Sequence, residues 1–320
     1  MTETDVLGSP YTRETLSLAD DYEGAVVCTL VQRAADRSPS RGAVLHVHGF
    51  CDYFFQTATA EFFTALGYDF FALDLRKHGR SLLPHQTPNF CLDLAEYHED
   101  LDAALSTIRE RTSHQRVVIS AHSTGGLVTP LWTAERASTG DLVADALVLN
   151  SPWLDLQGSF FVRTAGTEAI NRLGLRRPYA TVPRTLSGVY GESLHRDHHG
   201  EWDFDVAWKP LLSLPVKAGW LRAIRAGHRS VHKGVAVPAP VLVLCSRGSL
   251  VPETYTEEAQ GVDTVLDVRQ IARWSHQLGD NVTLVRVPGA VHDVFLSRKE
   301  VREDAFDRTA RWLTYALEAD

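Results

Sequence analysis

"RVVISAHSTGGLVTPLW" (residues 116–132) places a serine between the end of a predicted strand and the start of a predicted helix. The run "RVVIS" has the β-branched, apolar pattern of a buried strand, and "GGLVTPLW" has the pattern of a helix start. A sharp turn at Ser123 requires small neighbours, which Ala121 and Gly125 supply. The stretch therefore predicts a serine hydroxyl raised above the edge of a sheet, although a helix N-cap serine has the same local pattern.

The same alternation of strand and helix extends to both sides of this turn. Further apolar runs predict strands at residues 42–49, 68–75, 145–150, 240–246 and 282–287. Helical spacing of apolar residues predicts helices at residues 56–66, 92–111, 125–137, 268–278 and 305–319. Strands this apolar, alternating with helices, indicate an α/β fold with a mostly parallel central sheet flanked by helices on both faces.

One interval, residues 151–238, breaks the alternation and shows only scattered helical pieces and turn residues. It carries twelve Lys and Arg against seven Asp and Glu, within a chain whose net charge is −8. It also holds aromatic side chains suited either to internal packing or to an acyl or aromatic pocket: Trp153, Phe160, Phe161, Trp202, Phe204, Trp208 and Trp220. We interpret the interval as a mainly helical cap inserted between two parts of one core, residues 1–150 and 239–320.

A serine becomes a nucleophile only with a base that takes its proton and an acid that orients the base. His292 lies in "VRVPGAVHDVF", five residues beyond the last predicted strand, at the sheet edge where active sites of α/β proteins lie. The expected chain order is serine, acid, histidine. His292 is thus the candidate base, and a surface loop histidine is the alternative.

The acid is less well determined by the sequence. It should follow the strand "PVLVLCS", but residues 247–261 contain glutamates such as Glu253 and no aspartate. Asp263 comes just before the next predicted helix and is the favoured acid. Asp267, a candidate N-cap of that helix, is the alternative, and Glu253 is a third.

Two backbone N–H groups are candidates for an oxyanion hole, the pair of donors that binds the negative oxygen formed during acyl transfer. Thr124 stands at the N-terminus of the helix that follows the serine, where the helix dipole favours negative charge. Phe50 follows Gly49 in the loop "HVHGFCDYFF", directly after another predicted strand. His48 is expected to support that loop.

The segments "HVHGF", "GYDFFALDLRKHGRS", "AHSTGG", "PVLVLCS" and "VPGAVHDVFLS" together resemble the α/β-hydrolase superfamily. The resemblance is to its monoacylglycerol-lipase and lysophospholipase-like branch, also called the serine aminopeptidase type, over about residues 25–150 and 238–316. It implies an α/β-hydrolase fold with Ser123 as nucleophile, Asp263 as acid and His292 as base. It further implies an oxyanion hole formed by the Phe50 and Thr124 amides.

Three positions differ from the pattern of that branch. Ala121 replaces its usual first glycine, and Lys77 stands where glycine is common. Residues 51–53, Cys-Asp-Tyr, replace the Gly-Glu-His that monoacylglycerol lipases tend to carry. The last difference bears on the identity of the substrate and leaves the hydrolytic chemistry untouched.

Composition and charge exclude several other classes of protein. A net charge of −8 gives no reason to expect a nucleic-acid partner, and no apolar run approaches the ~20 residues of a membrane span. Four separated cysteines and an acidic, polar start predict a soluble cytoplasmic protein with reduced thiols. The group His195, Asp197, His198 and His199 lacks the spacing of a known zinc site, so no metal is predicted.

These observations predict a carboxylic ester hydrolase that works through a Ser-His-Asp triad and an acyl-enzyme, without a cofactor, on a small-molecule ester or acyl substrate. The basic cap favours, as an alternative, a thioesterase or an acyl transferase or cyclase acting on a carrier-bound acyl chain. The unusual spacing of the acid leaves a catalytically silent, ligand-binding relative as a third hypothesis. Nothing in the sequence indicates an oligomeric state.

Overall fold

The computed structural model describes residues 2–112, 116–157, 160–183 and 187–318, and for residues 160–165 and 318 it describes the backbone alone. Within these ranges the strands are β1 (Glu3–Thr4), β2 (Thr12–Ser17), β3 (Val27–Arg33), β4 (Ala43–Val47), β5 (Asp69–Asp74), β6 (Val117–His122), β7 (Ala146–Asn150), β8 (Val241–Ser246) and β9 (Val282–Val287). The α-helices are α1 (Thr57–Ala65), α2 (Glu96–Thr112), α3 (Gly125–Ser138), α4 (Phe160–Arg176), α5 (Val189–Leu194), α6 (Ala218–Lys233), α7 (Val268–Trp274) and α8 (Lys299–Glu318).

The strands form one sheet in the order β1-β2-β3-β5-β4-β6-β7-β8-β9. From β5 to β9 along this order the strands are parallel, whereas β1, β2 and β3 pair antiparallel and β3 joins the sheet antiparallel to β5. Every residue of β4, β6, β7 and β8 is buried, while β2 near one edge and β9 at the other are partly exposed. The prediction of a mostly parallel central sheet is therefore confirmed, and the antiparallel strands β1 to β3 were not predicted.

Helices cover both faces of the sheet because alternate residues of each strand point to opposite sides. On one face, strand residues such as Leu45 and Leu147 pack with α2 and α3, which contribute Leu101 and Trp132. On the other face, Val44 and Val148 pack with α1 and α8. The parallel strands are thus buried on both sides, and this explains why they are continuously apolar.

The loops that carry the candidate residues leave the sheet at one edge. Ser123 follows the end of β6, and His292 lies beyond the end of β9. Phe50 follows β4, and Asp263 lies in the long connection after β8. Since these strands are parallel, their carboxyl ends share an edge, which is where α/β proteins place their ligand sites.

Residues 151–240, which join β7 to β8, are called the inter-strand segment below. It contains α4, α5 and α6; α6 packs against both α4 and the core helix α3. Its division from the core as a separate cap stays a prediction, and the side chains of Phe160 and Phe161 lie outside the described residues. Among the helices that the structure describes, none is long and apolar enough to cross a membrane.

Candidate active site

Ser123 lies in a strained turn directly between β6 and α3. Its φ is 52°, in the left-handed region that costs a non-glycine residue about 1–3 kcal/mol. The N-cap position of α3 is occupied by Thr124, which makes no side-chain capping hydrogen bond. A Cβ on Gly125 would lie 2.5 Å from the backbone oxygen of His48, so any larger residue at this position forces the backbone to shift. The Ser123 hydroxyl is therefore left for contacts other than helix capping.

Three side chains that are distant in sequence form one hydrogen-bonded chain at this turn. The Ser123 hydroxyl donates to Nε2 of His292 across 3.1 Å, and Nδ1–H of His292 donates to Oδ2 of Asp263 across 2.9 Å. Asp263 is fully buried, and its Oδ1 accepts the N–H groups of Val265 (2.8 Å) and Leu266 (2.7 Å). These bonds hold the carboxylate still and keep the proton of the imidazole on Nδ1, so Nε2 is free to accept the serine proton.

The other candidate acids lie elsewhere. Asp267 is the N-cap of α7, where its carboxylate accepts the backbone N–H of Arg269 across 3.1 Å and pairs with the guanidinium of the same residue. Glu253 is exposed on the loop. Of the three candidates, Asp263 is the one whose carboxylate contacts His292.

The loop after β4 lies against the serine turn. A Cβ on Gly49 would come within 2.9 Å of the Ser123 Cβ, so only glycine allows this approach. His48 fixes the loop: its Nδ1–H donates to the Gly49 carbonyl oxygen (2.7 Å), and its Nε2 accepts the N–H of Leu75 (3.1 Å). Phe50 lines the same pocket as Ser123 and Thr124, and the assignment of the Phe50 and Thr124 amides to an oxyanion hole stays a prediction.

Asn150, at the end of β7, joins the serine turn to the histidine loop, and sequence reasoning missed it. Its backbone oxygen accepts the N–H of Ser123 (3.0 Å) and Nδ1–H of His122 (3.1 Å). Its side chain donates to Asp293 (2.6 Å) and accepts the N–H of Val294 (2.9 Å). A polar residue at the carboxyl end of an otherwise apolar parallel strand was the available signal.

The pocket above Ser123 is mainly apolar. Its aromatic wall comes from the core loop and the inter-strand segment: the Phe50 ring lies 4.1 Å from the Trp220 ring, which lies 5.8 Å from Trp153. Aliphatic lining comes from Val216, Leu221 and Leu266, among others. A site of this composition fits an apolar acyl or aromatic group.

A charged pair, which sequence reasoning also missed, lines the same pocket. Asp52 follows the candidate oxyanion loop, and Lys209 belongs to the inter-strand segment. The ammonium Nζ of Lys209 lies 3.0 Å from Oδ1 of Asp52. The two residues are far apart in the sequence, so no spacing pattern pointed to their contact.

His122, which precedes Ser123 in the chain, is buried. Its ring lies 4.8 Å from the His292 ring, and burial lowers its pKa. It is therefore neutral at pH 7 and places no positive charge beside His292.

Two other sequence features have structural roles. Lys77, at φ 63°, is fully buried and pairs with Asp21 (2.6 Å) and Glu23 (2.7 Å). His195 is buried, its Nε2–H donating to the carbonyl oxygen of Phe204 across 3.3 Å. Within the described ranges, no three His, Cys, Asp or Glu side chains are grouped so as to hold a metal ion.

Three features define the class of this protein: the order of the strands, the positive φ of Ser123 between a parallel strand and a helix, and the position of His292 at the carboxyl edge of the sheet. The protein has the α/β-hydrolase fold. The family described as serine aminopeptidase, S33, matches residues 38–298, and the chain belongs to that family. The predicted fold class, the predicted branch of the superfamily and the assignment to the hydrolases are thereby confirmed.

Solved structures of several hydrolases are similar over almost the whole chain. A soluble variant of monoglyceride lipase from Saccharomyces cerevisiae, in complex with a substrate analogue, is 15% identical, with 95% of this chain and 96% of that chain covered and a TM-score of 0.65. A monoacylglycerol lipase from Paleococcus ferrophilus is 17% identical (90% and 98% covered, TM-score 0.64). A thermostable carboxyl esterase from Bacillus coagulans, in complex with glycerol, is 15% identical (95% and 98% covered, TM-score 0.65). No curated protein sequence matches the chain.

Proposed function

We propose that the protein is a serine hydrolase that cleaves carboxylic esters of small molecules through an acyl-enzyme. The observation that carries this proposal is the hydrogen-bonded chain Asp263–His292–Ser123, which opens into an apolar pocket. In this proposal Ser123 is the nucleophile, His292 the base and Asp263 the acid that orients the base.

The first half of the reaction acylates the serine. His292 Nε2 takes the hydroxyl proton as Ser123 Oγ attacks the ester carbonyl, and Asp263 stabilises the imidazolium that forms. The backbone N–H groups of Phe50 and Thr124 donate to the oxyanion of the tetrahedral intermediate, and each is worth about 3 kcal/mol. His292 then protonates the alcohol oxygen, and the alcohol leaves as the carbonyl of the acyl-enzyme forms.

The second half returns the enzyme to its starting state. A water molecule attacks the acyl carbonyl while His292 takes one of its protons, and the same two amides bind the second oxyanion. His292 then gives this proton back to Ser123 Oγ as the C–O bond to the serine breaks. The products are one alcohol and one carboxylic acid, and no cofactor takes part.

The substrate class follows from the pocket lining. Phe50, Trp153, Trp220 and the aliphatic side chains beside them favour an apolar aliphatic or aromatic acyl group. The yeast lipase and the Bacillus esterase were solved with a substrate analogue and with glycerol, and an acyl ester of a small alcohol is the corresponding substrate here.

A fluorophosphonate probe and a short-chain p-nitrophenyl ester test this function together. We expect the probe to label Ser123, and Ser123→Ala to abolish labelling and lower kcat by roughly 10⁶-fold. Ser138→Ala, which removes an exposed hydroxyl at the end of α3, is the matched control and should behave like the parent protein. Undiminished turnover in Ser123→Ala would contradict the proposal, and tight ligand binding without acyl-enzyme formation would favour the catalytically silent alternative.

A further inference from the structure

The proposed mechanism makes no use of the buried ion pair between Asp52 and Lys209. Both side chains line the pocket above Ser123, yet Asp52 is only 3% exposed and Lys209 only 6%. Their Oδ1 and Nζ atoms are 3.0 Å apart. Two charges are rarely buried beside a reacting centre unless they are paired, so the consequence of the pairing for the substrate is of interest.

Asp52 is ionised in this pair. Burial alone would raise the pKa of Asp52, but the neighbouring groups together, with the positive charge of Lys209 first among them, outweigh burial and hold this pKa below its usual value. The ammonium of Lys209 also faces the rings of Tyr190 (5.5 Å), Phe55 (5.8 Å) and Phe204 (5.8 Å). The positive charge is thus compensated by one carboxylate and three aromatic faces, and the pair as a whole is neutral.

This compensation bears on which acyl groups the pocket accepts. An aminopeptidase, the activity for which the family is named, acts on an acyl group that carries a free ammonium, and a buried ammonium needs a carboxylate partner. Among the described residues that line the pocket, Asp52 is the one carboxylate, and Lys209 already pairs with it. A substrate ammonium beside Lys209 would meet a like charge in a site with little water.

We propose that Lys209 determines specificity: by neutralising Asp52 it makes the pocket select acyl esters without an ammonium group and reject amino-acid esters and peptides. This inference rests on the proposed ester hydrolysis and names the substrate class within it. Removing Lys209 frees the Asp52 carboxylate and creates a site for a substrate ammonium.

The geometry around the pair does not depend on the pair alone. The N–H of Asp205 donates to the hydroxyl oxygen of Tyr53 across 2.7 Å, and the Phe204 ring lies 4.9 Å from the Phe55 ring. These contacts join the same two stretches of chain that the ion pair joins. A variant without Lys209 therefore keeps Asp52 facing the pocket.

The test compares ethyl 3-phenylpropanoate with the ethyl ester of phenylalanine, which differ only by the α-ammonium group at about pH 6. The measured quantity is the selectivity, defined as kcat/KM for the phenylalanine ester divided by kcat/KM for the phenylpropanoate ester. Because both values come from one preparation, the fraction of folded enzyme cancels. Lys233→Met, which removes an exposed lysine at the end of α6, is the matched control.

We expect Lys209→Met to raise the selectivity by at least about tenfold, and Lys233→Met to leave it unchanged. In the double variant Asp52→Asn with Lys209→Met the carboxylate is absent, so the selectivity should stay well below that of Lys209→Met. A selectivity within twofold of the parent value in Lys209→Met would overturn the inference. So would an equal rise in the double variant, because extra space and not Asp52 would then be responsible.

A binding measurement separates failure of this inference from failure of the proposed function. Phenylalaninol and 3-phenylpropan-1-ol again differ by one ammonium group, and their dissociation constants can be measured by calorimetry without any turnover. The parent protein should bind the neutral alcohol more tightly, and Lys209→Met should reverse that preference. Absence of ester turnover would contradict the proposed function alone, whereas an unreversed preference would contradict the role of Lys209.

Discussion

Replacing Gly125 by alanine tests how closely the serine turn and the candidate oxyanion loop are packed. The added Cβ would lie 2.5 Å from the backbone oxygen of His48 and 2.6 Å from that of Val47. Both atoms are backbone, so neither can rotate away as a flexible side chain would. Relief of the contact requires a shift of at least about 0.5 Å in α3 or in the loop after β4, in an interior that has little free space.

The expected cost has two parts. Overpacking of this kind lowers the free energy of unfolding by about 1–3 kcal/mol. If the Phe50 amide is an oxyanion donor as proposed, a shift between it and Ser123 weakens that donor, and loss of such a donor lowers kcat by roughly 10²–10³-fold. We therefore expect Gly125→Ala to fold, to unfold at lower urea concentration and to lose about two orders of magnitude in ester turnover.

Gly166→Ala provides the control for this experiment. Gly166 lies within α4, and a Cβ there would meet nothing within 4 Å. Alanine is the better helix former, so this variant should gain about 0.5–1 kcal/mol of stability and keep its turnover. Turnover within threefold of the parent in Gly125→Ala would refute the packing argument.

Three further predictions concern the acid, the aromatic wall and the response to pH. Asp263→Asn should lower kcat by roughly 10⁴-fold. Asp267→Asn alters only a helix cap and should lower the free energy of unfolding by at most about 1 kcal/mol. Steady-state kinetics and urea unfolding measure the two effects, and a larger loss of kcat in Asp267→Asn than in Asp263→Asn would assign the acid role to Asp267. Trp220→Ala removes the indole that packs against Phe50 in the candidate oxyanion loop and should lower kcat at a temperature where the variant is still folded, with partial rescue by Trp220→Phe. An unchanged kcat would argue against this support. Burial alone would raise the pKa of Asp155, but its hydrogen bonds to Arg225 and to the N–H of Leu156, together with the positive charge of Arg225, outweigh burial and hold this pKa below its ordinary value. The carboxylate therefore stabilises the fold above about pH 4 and loses that contribution as the pH falls through its pKa in the folded protein. Between pH 5 and pH 3 the free energy of unfolding should consequently fall more in the parent protein than in Asp155→Asn. Equal losses in the two proteins would contradict the argument.

Continuous apolar runs made the central strands predictable. The predicted strand at residues 282–287 coincides with β9, and the others agree to within a residue or two at each end. Strand β2 was not predicted, because it reads "TRETLS", which is polar and partly exposed and lacks the pattern of a buried parallel strand. Strand β3, "VCTLVQR", was also missed, although its central residues are buried. The contact between the loops of Ser123 and His292 followed from the rule that parallel strands share a carboxyl edge.

The choice between Asp263 and Asp267 could not be made from the sequence, because both precede the same predicted helix. What separates them in the structure is the backbone path of the preceding loop. Ser249 and Asp263 form a parallel bridge, in which the N–H of Leu250 donates to the Asp263 carbonyl oxygen and the N–H of Asp263 donates to that of Gly248. Long-range backbone bonds of this kind leave no periodic signal in the sequence.

The contact of Lys209 with Asp52 was unpredictable for a related reason. It depends on how the inter-strand segment docks on the core, and that docking is set by scattered contacts such as the ring pair of Phe204 and Phe55. Neither helical nor strand periodicity encodes such contacts. The sequence alone therefore did not indicate this ion pair.

The two-sided bonding of Asn150 has a consequence for thermal motion. One residue holds the backbone of Ser123 on one side and the chain directly after His292 on the other. We therefore expect a displacement of the end of β7 to move both groups in the same direction, with a smaller change in the 3.1 Å between the serine oxygen and the imidazole. Asn150 is in this way expected to keep Ser123 aligned with His292 when the sheet deforms.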